Sequence, residues 1–146
     1  MDIKQITPTL WVSPQIAPAD VEALAGLGVR AIVNDRPDGE EAGQPDSAEI
    51  ADAAGRHGIG YRQIPVKAGE ITDRDVDQFA AAIEAAKGPV LAFCRTGTRA
   101  VMLWALSQAG RVASDELIRD AARHGYDITA LKPRLDASGA MRRDRP

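Results

Sequence analysis

The sequence predicts an α/β domain of three layers, a mostly parallel central sheet flanked by helices. Three observations lead there. Short apolar or β-branched runs alternate along the chain with helical stretches, the pattern of strand, crossover and parallel strand. The run Val90-Leu91-Ala92-Phe93 is apolar without interruption, as a strand covered on both faces must be. At 146 residues, 45% of them hydrophobic and 27% charged, the chain has the size and balance of one globular core.

Taken in order, Ile3 to Val12 reads as two short strands around the turn Thr7-Pro8-Thr9. Pro18, Asp20 and Glu22 open a helix that runs to Gly26-Leu27-Gly28. Val29 to Val33 is a buried strand feeding the polar, turn-rich loop Asp35 to Glu41. A helix follows over about Ser47 to His57, then a strand over about Tyr61 to Val66. Thr72 starts the next helix, with Asp75 three residues on in the manner of a capping box. After the strand at 90–93 an apolar helix covers Arg99 to Ala109, and another runs from Ser114 to just before Gly125. Ile128 to Leu135 adds a helical turn or two, and residues 137–146 are polar and basic enough to predict a frayed tail. The expected catalytic domain is therefore 1–136, and the loops at Asp35 to Glu41, Lys67 to Ile71 and Cys94 to Arg99 should share one sheet edge, where ligands bind in such folds.

Charge and composition narrow the partners. A formal net charge of -3 argues against a general nucleic-acid binder, which needs a basic surplus to neutralise phosphates. No apolar run approaches the roughly 20 residues of a membrane span, and the opening Met1-Asp2-Ile3-Lys4 lacks a signal core, so the expected setting is cytoplasmic. One cysteine precludes an internal disulfide and a thiolate-rich zinc site, and neither metal nor organic cofactor is expected.

That cysteine carries the chemistry. In Cys94-Arg95-Thr96-Gly97-Thr98-Arg99 a strand ends, one Gly lets the backbone turn tightly, and a helix begins, so successive amides converge on an anion. With Cys94 at the first position the anion can be its own thiolate, favoured by the helix terminus and by Arg95 and Arg99. Thr96 and Thr98 offer hydroxyls, and Arg99 a planar fork for two oxygens of one substrate. A lone Cys after an apolar strand is ordinarily buried filler, but filler explains neither the two arginines nor the glycine.

The stretch Val90 to Arg99, together with Arg36-Pro37-Asp38-Gly39-Glu40-Glu41, Ile64-Pro65-Val66 and Gly125-Tyr126-Asp127, resembles the β-lactamase-hydrolase-like protein, phosphatase-like domain family over nearly the whole chain. The resemblance implies a dual-specificity-phosphatase-like fold. It also implies a divided chemistry, because some members are described as rhodanese-like sulfurtransferases linked to sulfide detoxification.

Loop length bears on that division. Phosphatases of the cysteine class separate Cys and Arg by five residues, whereas four lie between Cys94 and Arg99, as in rhodanese loops, and Ala100 stands where the longer spacing would put Arg. They also use an Asp on a neighbouring loop to protonate the leaving oxygen, and Lys67-Ala68-Gly69-Glu70 offers only Glu70 as candidate acid. Sulfur transfer needs no such acid. The sequence-based expectation is therefore a sulfurtransferase working through a Cys94 persulfide, taking a small anionic sulfur donor and passing sulfur to a thiol or cyanide-type acceptor. A phosphatase working through phosphocysteine and a non-catalytic anion-sensing module are the alternatives.

Arg36 follows a strand toward the same edge and should help to bind an anionic substrate, with Asp38, Glu40 and Glu41 either orienting the arginines or forming a solvated turn. His57 and His124 each sit in Arg-His-Gly at a helix end, where His suits the dipole and Gly the left-handed cap, so both read as structural. Trp11 and Trp104 read as core.

Overall fold

The computed structural model describes residues 1–143. Five strands, β1 (Lys4–Gln5), β2 (Leu10–Ser13), β3 (Ala31–Asn34), β4 (Gly60–Gln63) and β5 (Val90–Phe93), form one sheet in the order β1-β2-β5-β3-β4. Only β1 is antiparallel to its neighbour; β2, β5, β3 and β4 run parallel. The helices are α1 (Val21–Gly26), α2 (Ser47–Arg56), α3 (Asp73–Ala85), α4 (Thr98–Gln108), α5 (Ser114–Arg123) and α6 (Lys132–Arg143), with 3-10 turns at Pro18–Asp20 and Thr129–Leu131.

Side-chain alternation along β5 divides the core in two. Leu91 and Phe93 point with Trp11 and Ile32 toward Val21, Leu24 and Ile50 of α1 and α2. Val90 and Ala92 point with Val12 and Val33 toward Val76 and Phe79 of α3, Val101 and Leu103 of α4, and onward to Leu117 and Leu135. The uninterrupted apolar run is thus the central strand, buried on both faces as its composition demands. For the same reason α4 is apolar around most of its circumference: Ala100, Val101, Leu103, Trp104, Ala105 and Leu106 are all buried.

Local signals set the element ends. Thr72 Oγ1 accepts from the Asp75 amide (3.1 Å) while Asp75 accepts from the Thr72 amide (2.9 Å), closing the capping box that starts α3. His57 and His124 stand just past α2 and α5, each followed by a glycine at positive φ, +69° at Gly58 and +89° at Gly125. β4 stops at Gln63, short of the expected Val66, although the Ile64 and Val66 amides still donate to Asn34 and Asp35. One expectation fails at the C-terminal end. The tail expected to fray from Ala137 is helical through Arg143, because Leu135 is buried in the core and Arg142 Nη1 donates to the Ser107 and Ala109 carbonyls (2.9 and 2.8 Å) at the end of α4. The rest of that expectation, residues 144–146, lies outside the described residues.

Candidate active site

The parallel strands bring the chain segments after β2, β3, β4 and β5 to one edge of the sheet, as alternating βαβ connections require. There Arg36, Glu40, Glu41, Gly69, Arg95 and Arg99 line an open recess of about 470 Å³.

Cys94 lies directly after β5 at the bottom of that edge and is fully buried. The Gly97 amide donates to its sulfur at 3.1 Å. Gly97 is the N-cap of α4 at φ +98°, which aims that amide back at the sulfur. A Cβ at this position would strike the Tyr126 hydroxyl and come within 3.0 Å of Val12, so glycine is required on two counts. Thr96 and Thr98 share a hydroxyl contact of 3.0 Å at the exposed lip, and the Tyr126 hydroxyl donates to the Thr96 carbonyl (3.4 Å). Of the amides expected to converge there, that of Gly97 meets the cysteine sulfur, while that of Thr98 meets the Thr96 hydroxyl at 3.4 Å.

Arg99, in the first turn of α4, is only 11% exposed. Its fork closes on Glu40, Nη1 to Oε2 at 2.6 Å and Nη2 to Oε1 at 2.9 Å, and Nη1 also donates to the Val66 carbonyl at 2.8 Å. Glu40 accepts a further bond from Arg36 Nε at 2.8 Å. Hydrogen bonding to Arg99, then to Arg36, outweighs desolvation and lowers the Glu40 carboxyl to about 2. Bonding to Glu40 and the nearby Cys94 sulfur together hold the Arg99 guanidinium above its ordinary value against partial burial.

Arg36 itself is buried, with Nη1 donating to Gln15 Oε1 at 3.0 Å and its own amide held by Asn34 Oδ1 at 2.9 Å. It supports the clamp from beneath. Arg95 is 64% exposed and pairs with Glu41 at 3.2 Å. Asp38 has a structural task, accepting from the Ser47 amide (2.8 Å) at the start of α2. Glu70 is exposed on the loop whose Ala68 and Gly69 line the recess.

Two residues escaped the sequence reading. Gln15 reaches the site because β2 also ends at this edge; its amide donates to the Arg95 carbonyl at 3.2 Å. Asp35 follows β3 and is fully buried, and neither side-chain oxygen has a hydrogen-bond partner among the described residues. Burial pushes its carboxyl well above the ordinary carboxylate range, Arg99 working against the shift and Asp75 with it. A charged residue two positions beyond the apolar run Val29 to Val33 was the available signal.

The class that fold and family define is a phosphatase-like domain. Residues 2–111 match the model of the Beta-lactamase hydrolase-like protein, phosphatase-like domain family, and the chain belongs to that family. It is 37% identical to the Beta-lactamase hydrolase-like protein of Agrobacterium fabrum over 142 residues, 96% of this chain and 33% of that one. A Xylella fastidiosa protein of the same name is 40% identical over 130 residues, covering 88% and 30%. The chain thus spans about a third of the length of these curated relatives. Among solved structures, nma1982 of Neisseria meningitidis Z2491, a candidate phosphatase, superposes with a TM-score of 0.85 at 40% identity, covering 94% of this chain and 99% of that one. PTPMT1, solved with PI(5)P, shares the fold at a TM-score of 0.77 and 14% identity, covering 97% and 96%.

Proposed function

We propose that this domain is a cysteine-dependent phosphohydrolase. Cys94 attacks the phosphorus of a small phosphate ester, an S–P bond forms as the P–O bond to the leaving group breaks, and water then releases phosphate from the phosphocysteine. The observation that carries the reading is the donation from Gly97 to the Cys94 sulfur in a loop whose Arg95, Thr96, Thr98 and Arg99 line the recess, in a chain whose family is phosphatase-like. Here the loop amides hold the transferring oxygens, Arg99 donates to one of them at the rim, and Arg36 and Glu40 keep its guanidinium in place.

Proton supply shapes the substrate range. Glu40 is ionised at neutral pH and has no proton to give. Glu70 is the one carboxyl on the loop that carries the acid in related chemistry, and its exposure leaves its aim loose. Esters whose leaving oxygen is already stable as an anion, aryl phosphates before alkyl ones, therefore suit the site.

Sulfur transfer, placed first on loop length, becomes the second reading, because the family and the Neisseria relative support phosphate chemistry. Two observations keep it in view: the four-residue spacing from Cys94 to Arg99, and Ala68 and Gly69 at the rim in place of an Asp. It would use a Cys94 persulfide with a thiol or cyanide-type acceptor. A single domain over 1–136 and a cytoplasmic setting that keeps the thiol reduced belong to both readings; among the described residues no helix is long and apolar enough to cross a membrane. Assay of an aryl phosphate and of thiosulfate with wild type and Cys94→Ser separates the two. Phosphate release abolished by Cys94→Ser supports the first, and sulfur uptake without phosphate release would replace it with the second.

A further inference from the structure

The register of β3 and β5 pairs Asn34 with Phe93. One residue further along come Asp35 and Cys94, and the Asp35 amide still donates to the Phe93 carbonyl at 2.8 Å. Val33 and Ala92, two residues back on each strand, both face α3 and α4. Period-two alternation then puts the Asp35 and Cys94 side chains on that same face, one strand apart. Both residues are fully buried, and both carboxyl oxygens of Asp35 lack a hydrogen-bond donor among the described residues.

Charge around the pair leaves room for one anion. Arg36, Arg95 and Arg99 are matched by Glu40 and Glu41, so one positive charge remains for the sulfur. The charges acting on Asp35 are those of Arg99 from α4 and of the Asp75 carboxylate from the start of α3. Lys67 and Glu70, on the loop after β4, are exposed. A buried carboxylate here would sit against a thiolate and a second carboxylate with its nearest cation already bonded to Glu40.

We propose that Asp35 is a positioning residue for Cys94: kept neutral by its burial on the face that Cys94 shares, its carboxyl leaves the uncompensated positive charge of the site to the sulfur. Loss of the Asp35 proton at alkaline pH puts a carboxylate on that face and repels anionic substrates. The proposal rests on Cys94 being the reactive thiolate, and holds for either phosphate or sulfur donors. Asp35 itself, fully buried below the loop, is no candidate to protonate a leaving group.

The test follows alkylation of Cys94 in the full chain across pH with iodoacetamide, which is neutral, and iodoacetate, which is anionic. In wild type the iodoacetate-to-iodoacetamide rate ratio should fall roughly tenfold in the alkaline range, the effect of one added charge beside the thiolate. In Asp35→Asn, neutral at every pH, the ratio should stay at its neutral-pH value. Tyr126, the phenol near the sulfur, is raised by burial and also stays neutral longer than a free tyrosine. Should Asp35→Asn not fold, the infrared band of a protonated carboxyl in wild type, present at neutral pH and lost along the same curve, decides. A flat wild-type ratio with rapid alkylation, or an equal fall in Asp35→Asn, overturns the role of Asp35 alone. Failure of Cys94 to alkylate at any pH overturns the nucleophile as well.

Discussion

Arg99 and Glu40 face each other fork to fork, with Nη1–Oε2 at 2.6 Å and Nη2–Oε1 at 2.9 Å, although 59 residues separate them in the chain. The pair fixes the α4 arginine at the rim of the recess before any substrate arrives. It also makes the loop after β3 part of the site rather than a solvated turn.

Removing the carboxylate tests that coupling. Glu40 titrates near 2 in the folded chain against an ordinary 4.5, so its contribution to stability is complete above about pH 4.5 and is lost as pH falls through about 2. Glu40→Gln should lower the melting temperature by about 2–4 °C at neutral pH, the equivalent of ~1 kcal/mol for a domain of this size after allowing for solvent screening. The difference from wild type should close as pH drops toward 2. Thermal melts at several pH values check it, and a pH-independent difference would show that Glu40 acts through packing.

Arg99→Lys should cut turnover roughly 100-fold, since an ammonium cannot hold Glu40, the Val66 carbonyl and a substrate oxygen in one plane. Arg95→Lys, at an exposed residue, should stay within a few-fold. Steady-state kinetics on both variants measure the contrast; equal losses would mean that Arg99 supplies only charge.

Gly97→Ala should destabilise by about 2 kcal/mol or more, through positive φ and collision with Tyr126 and Val12. Tyr126→Phe in the same chain removes the hydroxyl that the new methyl strikes, and should recover part of the stability. Denaturant unfolding of the single and double variants checks this. Gly97→Ala should also slow alkylation of Cys94, and the slowing should persist in the double variant if the amide bond to sulfur depends on the backbone turn.

Most of the fold was legible because its signals are local. The apolar run at 90–93, the Thr72 and Asp75 box and the glycines after His57 and His124 each state a physical requirement within a few residues. The Cys94 loop was legible for the same reason. What escaped depends on register or on partners far along the chain. Glu40 reads equally as an acid that orients the arginines and as part of a solvated turn until Arg99 is placed beside it, Gln15 reaches the site only because β2 ends at the same edge, and Asp35 comes to share a face with Cys94 only through the pairing of β3 with β5. The C-terminal helix misled in the opposite way: its polar surface suggested fraying, while Leu135 and the Arg142 contacts to the end of α4 anchor it.

The central claim is that Cys94 is a nucleophile toward phosphorus. Rapid acid quench of the full chain with an aryl phosphate, followed by intact-mass and peptide analysis, measures it most directly. A transient adduct of about 80 Da on Cys94, one phosphoryl group, absent in Cys94→Ser and prolonged in Arg99→Lys, is the predicted result. Aryl phosphate left untouched while thiosulfate deposits a stable adduct of about 32 Da on Cys94, one sulfur atom, would contradict the phosphatase account and replace it with persulfide chemistry.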